Sequence, residues 1–249
     1  MRPSPRPAAA ERVRRRPLLP TFIVALSWAC LAHPASAQMA GRAALESDYR
    51  VRGVSFSDGR PVASLTLSYD HASGAYLGAT GLIGAADGAG VRALGYQVDL
   101  GYARQTASGL GWDVGLTQTG FSEYRGSEHE IRYSEIYAGI VRRNLSAHLY
   151  YSPSYLGGHV RTLYAEVDGA IRPAPRWRLF AHAGLLTPLS RDDGAPPPGT
   201  QYDLRAGAAV EVRAAELRLA WTHVGPGSPY PAELPRSRDA VVVSASYAF

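Results

Sequence analysis

The chain has a single cysteine, Cys30, and after it no apolar run approaching the roughly 20 residues of a membrane-spanning helix. If the chain is cut after Ala37, the remainder holds no thiol, which excludes a disulfide and a thiolate metal site. An excess of one charge is missing as well. Of the 26 basic and 21 acidic residues, six Arg and one Glu fall within residues 1–37, so 20 of each remain beyond them. The basic balance of the whole chain therefore belongs to its amino end and offers nothing for nucleic acid. No phosphate-cradling or dinucleotide glycine motif occurs, and no cofactor is expected.

The amino end reads as an export signal. Arg2, Arg6, Arg12, Arg14, Arg15 and Arg16 precede an apolar run from Leu18 to Ala32, and Ala35-Ser36-Ala37 stands before Gln38. A retained anchor is the alternative, but the run is short and wrongly flanked. Lipidation at Cys30 is another, although the bulky Trp28 sits where small residues are usual. The organisation expected is a signal peptide over 1–37 and one folded domain over 38–249. An exported chain without a membrane helix is either soluble or a closed barrel, since only those satisfy every backbone group in their solvents.

Period-two alternation favours the barrel. Tyr202, Leu204, Ala206, Ala208, Val210 and Val212 fall on one face; Asp203, Arg205, Gly207, Glu211 and Arg213 fall on the other. The same split runs through Trp177–Leu185 against Arg178, Phe180 and His182. It recurs in Leu163–Ile171 against Tyr164, Glu166 and Asp168, in Leu94–Tyr102 against Asp99, and in Leu217–Trp221 against Arg218. Weaker segments start near Ala44, Val62, Ala75, Leu110, Ile131 and Leu145. Around Ile136–Val141 both faces are apolar and the phase stays open.

About twelve strands result, an even number as a single-chain antiparallel barrel requires. Their connections alternate between long and short. The long ones are Ser57–Pro61, Ala85–Gly90, Ser122–Glu130, Ser152–His159, Ser190–Thr200 and Gly225–Arg238; the short ones lie near His71–Gly74, Thr106–Ser108, Arg142–Asn144, Pro173–Pro175 and Ala214–Ala215. This asymmetry is that of outer-membrane barrels, and a β-sandwich has no reason to keep it. Two aromatic girdles are expected: Trp112, Trp177, Tyr69, Tyr102 and Tyr247 near the short turns, and Phe121, Tyr133, Tyr151, Tyr202 and Trp221 near the long loops. The chain closes on an alternating strand ending in Tyr247 and Phe249. That strand resembles the terminal signal by which outer-membrane proteins are recognised by the barrel-assembly machinery.

Three short stretches also resemble a known family. They are Ser47-Asp48-Tyr49-Arg50-Val51-Arg52-Gly53-Val54-Ser55 with Ser57-Asp58-Gly59, then Tyr69–Gly78, then Ser134–Gly139. They are similar to the Gcw_chp proteins, an uncharacterised exported family of Gram-negative bacteria. The resemblance implies a barrel-like pattern and no particular activity.

The expected function is a small passive, porin-like channel of the outer membrane, with lipid and lipopolysaccharide around it. Its lumen would be lined by Glu46, Asp48, Arg50 and Arg52 of the first strand, with Asp99, Asp113, Glu166, Asp168, Arg178, Asp203, Arg205, Glu211, Arg213 and Arg218. Inward Gly78, Gly95, Gly101 and Gly115 would leave room for a narrow passage. The alternative is a closed structural or binding barrel, in which charges of both signs pair and plug the lumen. An outer-membrane lipid hydrolase is the remote third reading, since His71-Ala72-Ser73 resembles the histidine–serine pair of lipid A deacylases. Gly74 makes that site an ordinary hairpin turn, and no enzyme is expected. The other histidines look isolated, and His129 between Glu128 and Glu130 reads as a solvated loop.

Overall fold

A computed structural model describes residues 38–86, 90–122, 131–157, 160–190, 199–227 and 238–249. The first long strand, β1 (Gln38–Glu46), is followed by two miniature ones, β2 (Arg50–Val51) and β3 (Val54–Ser55). Eleven long strands follow: β4 (Val62–Asp70), β5 (Ala75–Ala86), β6 (Gly90–Gln105), β7 (Gly111–Phe121), β8 (Ile131–Arg142), β9 (Leu145–Ser152), β10 (Thr162–Ala174), β11 (Trp177–Pro188), β12 (Gln201–Val212), β13 (Ala215–Val224) and β14 (Asp239–Ala248). The twelve long strands form an antiparallel meander that β14 closes against β1. At that seam the amides of Gly41 and Phe249 each donate to the other's carbonyl at 2.9 Å. Closure leaves each of the twelve long strands paired on both sides, the condition for lying in hydrocarbon.

The alternation read from the sequence is the alternation of the wall. Leu204 and Leu219 face out and are exposed, while Asp203 and Arg178 face in and are buried. Leu100, Leu116, Ile136, Ile140, Leu149, Val167 and Leu185 continue the same bare apolar belt. A belt of that extent has hydrocarbon as its natural solvent. Trp112, Trp177, Tyr69 and Tyr247 are exposed towards the short-turn end, and Tyr202 and Trp221 towards the other.

The structure corrects several details. The first strand starts at Gln38 rather than near Ala44, and ends at Glu46. The link that follows spans residues 47–61, folds β2 against β3, and buries Val54 and Phe56 inside the barrel. β5 runs to Ala86 and β6 starts at Gly90, so Ala85, Ala86 and Gly90 of the expected Ala85–Gly90 loop belong to strands, and residues 87–89 lie outside the described residues. Phe121 and Tyr133 belong to no lipid girdle. Their parity puts them on the inner face, where Phe121 stacks on Phe56 at 4.2 Å and Tyr133 meets Tyr155 edge-on at 4.8 Å. The open phase of β8 resolves with Ile136 and Ile140 outside and Tyr133, Glu135 and Tyr137 inside. Leu94 is the extra residue of a bulge between Leu82↔Gly95 and Ile83↔Ala93, which turns it inward and buries it.

Candidate functional site

The inner face is built in three layers. At the long-loop end, the residue 47–61 link hangs from Asp48. This buried carboxylate accepts from Arg50 Nε at 2.6 Å, from Ser57 Oγ at 3.0 Å and from the Gly59 amide at 3.2 Å, and also from Ser55 Oγ. Arg50 in turn donates to the Gly53 carbonyl at 2.7 Å. Asp48 and Arg50 are thus the internal skeleton of a loop, not charges on the first strand. Arg52 leaves that loop with a left-handed φ of 49° and reaches Glu135 on β8, donating to its two oxygens at 2.9 and 2.7 Å. Its guanidinium lies 4.0 Å from the centre of the Tyr164 ring, with Tyr155 and Tyr150 beside it. Around this bridge Val54, Phe56, Phe121, Tyr155, Leu156 and Leu186 form one apolar cluster.

The middle layer is a row of directly opposed positions on six neighbouring strands: Asp113, Gly139, His148, Glu166, Gly184 and Asp203. Residues Asp168, His182 and Arg205 form the next row. Asp168 Oδ1 lies 2.9 Å from His182 Nδ1, and Asp203 Oδ1 lies 3.0 Å from His182 Nε2. The Tyr164 hydroxyl donates to Asp203 at 3.1 Å and the Tyr150 hydroxyl to Glu166 at 3.1 Å. Arg205 stands 3.8 Å from Asp168, its side chain still one-third exposed. His148 Nε2 is 3.4 Å from Asp113 and its Nδ1 is 4.0 Å from Glu166. Asp99 is half-buried and accepts from Gln97 at 3.1 Å.

The layer nearest the short turns is basic and aromatic. Arg178 donates to Glu216 at 2.8 Å and Arg218 at 3.0 Å, and both guanidinium groups flank the Phe180 ring. Glu46 lies higher on the wall, at the link end of β1 opposite Val62, and is half-buried on the inner face. Glu211 is drawn to Arg172 at 3.0 Å, near the rim. Arg213 lies past the end of β12, exposed in the tight turn with φ 58°, and does not line the wall.

Of the inner glycines, Gly78 leaves ordinary room beside Asp99, but Gly95, Gly101 and Gly115 are not vacant space. A side-chain carbon on Gly101 or Gly115 would meet the hydroxyls of Tyr76 and Tyr137, which bond to each other, and one on Gly95 would meet Phe121. Gly139 makes room for His148, and Gly184 for Tyr164. Small residues on one strand seat large polar rings from the next. His71 and Ser73 share a 2.8 Å hydrogen bond in the exposed β4–β5 turn, and Ser73 Oγ also receives the Ala75 amide. That bonding is turn chemistry. Glu128, His129 and Glu130 lie outside the described residues.

Reading one strand at a time missed Glu135, Glu216 and the pairing of His148 and His182 with carboxylates. One signal was available: Asp168 and His182 stand at matching distances from the turn joining β10 to β11.

A family model described as a bacterial protein of unknown function, Gcw_chp, matches residues 32–239. The chain belongs to the Gcw_chp family. Its match runs far beyond the three stretches that first carried the likeness. Within this Gcw_chp protein, the first stretch is the inward link itself, and the third holds Glu135, so Arg52 joins the two. No curated protein matches the sequence. Solved structures that match include the NanC porin, at 10% identity and TM-score 0.51, covering 84% of this chain and 99% of the porin. The KdgM porin, in a complex with disordered oligogalacturonate, matches at 12% identity and TM-score 0.47, over 86% and 99%. An outer-membrane channel of Pseudomonas putida F1 matches at 13% identity and TM-score 0.47, over 87% and 96%. At these identities the likeness concerns the fold, which is that of outer-membrane barrels.

Proposed function

We propose that this chain is a narrow passive channel of the outer membrane, constricted at its long-loop end by the inward link of residues 47–61. One observation carries the reading: ionic groups of both signs line the inner face along its whole height. They run from Arg178, Arg218 and Glu216 near the short turns, through Asp168, Asp203 and Arg205, to Glu135 and Arg52 under the link. Sealing a barrel requires only apolar side chains, whereas a hydrated path requires groups that water and ions accept. Twelve strands enclose more than the side-chain-filled core of an eight-stranded barrel and less than the wide channel of a sixteen-stranded one. The test is conductance of the folded protein in a planar bilayer. Stepwise openings are expected, with ion selectivity that shifts when Asp203→Asn or Arg205→Gln removes one charge.

The pairing of these charges, and Arg52–Glu135 above all, favours a second reading, a closed binding barrel. Silent bilayers from correctly folded protein, before and after the link is shortened, would select it. A lipid hydrolase stays remote, because the His71–Ser73 pair lies in an exposed turn among turn hydrogen bonds; lipid hydrolysis abolished by Ser73→Ala would revive it. The working partners are outer-membrane lipid and lipopolysaccharide around the apolar belt, and the barrel-assembly machinery at the terminal strand.

A further inference from the structure

We propose that the middle layer of the inner wall is a binding site for a divalent transition-metal ion, held by Glu166, Asp168 and His182 with His148 as fourth ligand. Ligand atoms of Glu166, Asp168 and His182 all lie within 4.8 Å of one another. An ion such as Zn²⁺ holds nitrogen and oxygen ligands at about 2.0–2.2 Å, so its ligand atoms stand roughly 3–4 Å apart. Small side-chain rotations close the difference.

His148 points independently to the same place. It is 5% exposed, and its Nδ1 has no hydrogen-bond partner although it faces Glu166 Oε1 at 4.0 Å. That separation is too long for a hydrogen bond and suits two ligands of one ion. Strand register builds the fork: Glu166 and Asp168 project from β10 on one face, with His148 opposite Glu166 on β9 and His182 opposite Asp168 on β11.

The surroundings supply what a metal-bound imidazole needs. Asp203 accepts from His182 Nε2 at 3.0 Å, which leaves Nδ1 as the coordinating nitrogen. Asp113 Oδ1 stands 3.4 Å from His148 Nε2, an anion beside that nitrogen, while Nδ1 is the nitrogen turned towards Glu166. In the metal-free protein a proton lies between His182 Nδ1 and Asp168, 2.9 Å apart; the ion takes its place and the proton leaves. Four carboxylates, Asp113, Glu166, Asp168 and Asp203, converge here, and the cation beside Asp168 is Arg205 at 3.8 Å. A dication balances that excess. Two imidazoles with two carboxylates suit Zn²⁺ rather than Ca²⁺ or Mg²⁺, which take oxygen ligands. The site goes beyond the channel reading and holds whether or not the lumen conducts.

The test is titration of the untagged, detergent-folded chain with Co²⁺, followed by its visible absorption, and with Zn²⁺ by calorimetry. One equivalent should bind, Co²⁺ should give low-symmetry d–d bands that Zn²⁺ abolishes, and Zn²⁺ uptake should release protons. His182→Gln and Glu166→Gln, which preserve shape, should each weaken binding at least tenfold, and Asp203→Asn about 10–100-fold with all four ligands intact. His223→Ala, at the exposed His223–Asp239 pair, should change nothing. Folding of each variant is read from its gel mobility before and after boiling. Absence of saturable binding by the unaltered chain overturns the proposal. So does binding that survives His182→Gln and Glu166→Gln, whether or not His223→Ala removes it.

Discussion

Arg52 shows how much one side chain does here. It carries a charge into a ring of tyrosines, and Glu135 answers that charge through two hydrogen bonds. Removing one member of a buried pair leaves the other uncompensated, at a cost of about 3–5 kcal/mol. Glu135→Ala is therefore expected to lower the melting temperature of the detergent-folded barrel more than Glu135→Gln, which keeps hydrogen-bonding capacity. Arg213 marks the opposite case. Its exposed, left-handed position in the β12–β13 turn disfavours any residue with a Cβ, by about 1–2 kcal/mol. Arg213→Gly should leave ion selectivity unchanged and stability equal or higher, measured beside Arg205→Gln, which should shift selectivity.

At the level of the element, the wall depends on small residues opposite large ones. A side chain at Gly115 would meet the Leu100 carbonyl and the Tyr137 hydroxyl, so Gly115→Val presses on backbone as well as on a ring. Overpacking of that kind costs about 1–3 kcal/mol, and a lowered unfolding midpoint of the variant barrel should show it. The terminal strand is a second case. Phe249 makes two backbone hydrogen bonds with Gly41 across the closing seam, while its ring lies exposed on the outer surface. Deleting Phe249 removes both bonds and the terminal aromatic together. Export should continue while the amount of barrel in the outer membrane falls. Normal levels of the truncated protein there would falsify this role for the terminus.

For the whole molecule, the decisive question is the link of residues 47–61. It carries the Asp48 skeleton, the apolar plug of Val54 and Phe56, and the Arg52 bridge, yet neither barrel strand it joins requires it for pairing. Replacing residues 49–58 by a short Gly-Ser linker should keep the barrel and its altered gel mobility before boiling. Single-channel conductance should rise several-fold, because the constriction at the long-loop end is then removed. An unchanged conductance would move the constriction to the Arg178–Glu216–Arg218 layer.

The barrel was legible in the chain because strand geometry is local. A period of two needs only the next few residues, so Asp203 against Leu204, or Arg178 against Leu179, declares its face without a partner in view. Strand number, the short turns near His71–Gly74, Thr106–Ser108 and Arg142–Asn144, and the terminal strand followed from the same local logic. The turn expected at Pro173–Pro175 instead falls at residues 175–176, after Pro173 and Ala174 have continued β10. The site was not legible in that way. Asp48 and Arg52 read as strand charges because alternation continues through Tyr49 and Val51 into a loop, and nothing local says that the chain turns back at Gly53. Glu135 could not be found while the phase of β8 was open, since its parity is settled by the neighbours β7 and β9. His148 and His182 look solitary along the chain and become neighbours of Glu166 and Asp168 only through register across three strands. The sequence by itself determined which residues face lipid and which face inward wherever the alternation is clean, because that is a property of consecutive residues. It did not do so in β8, where both faces are apolar, or at the Leu94 bulge. Only the tertiary structure decided which inward groups meet, because closure and register bring together atoms that the chain keeps far apart.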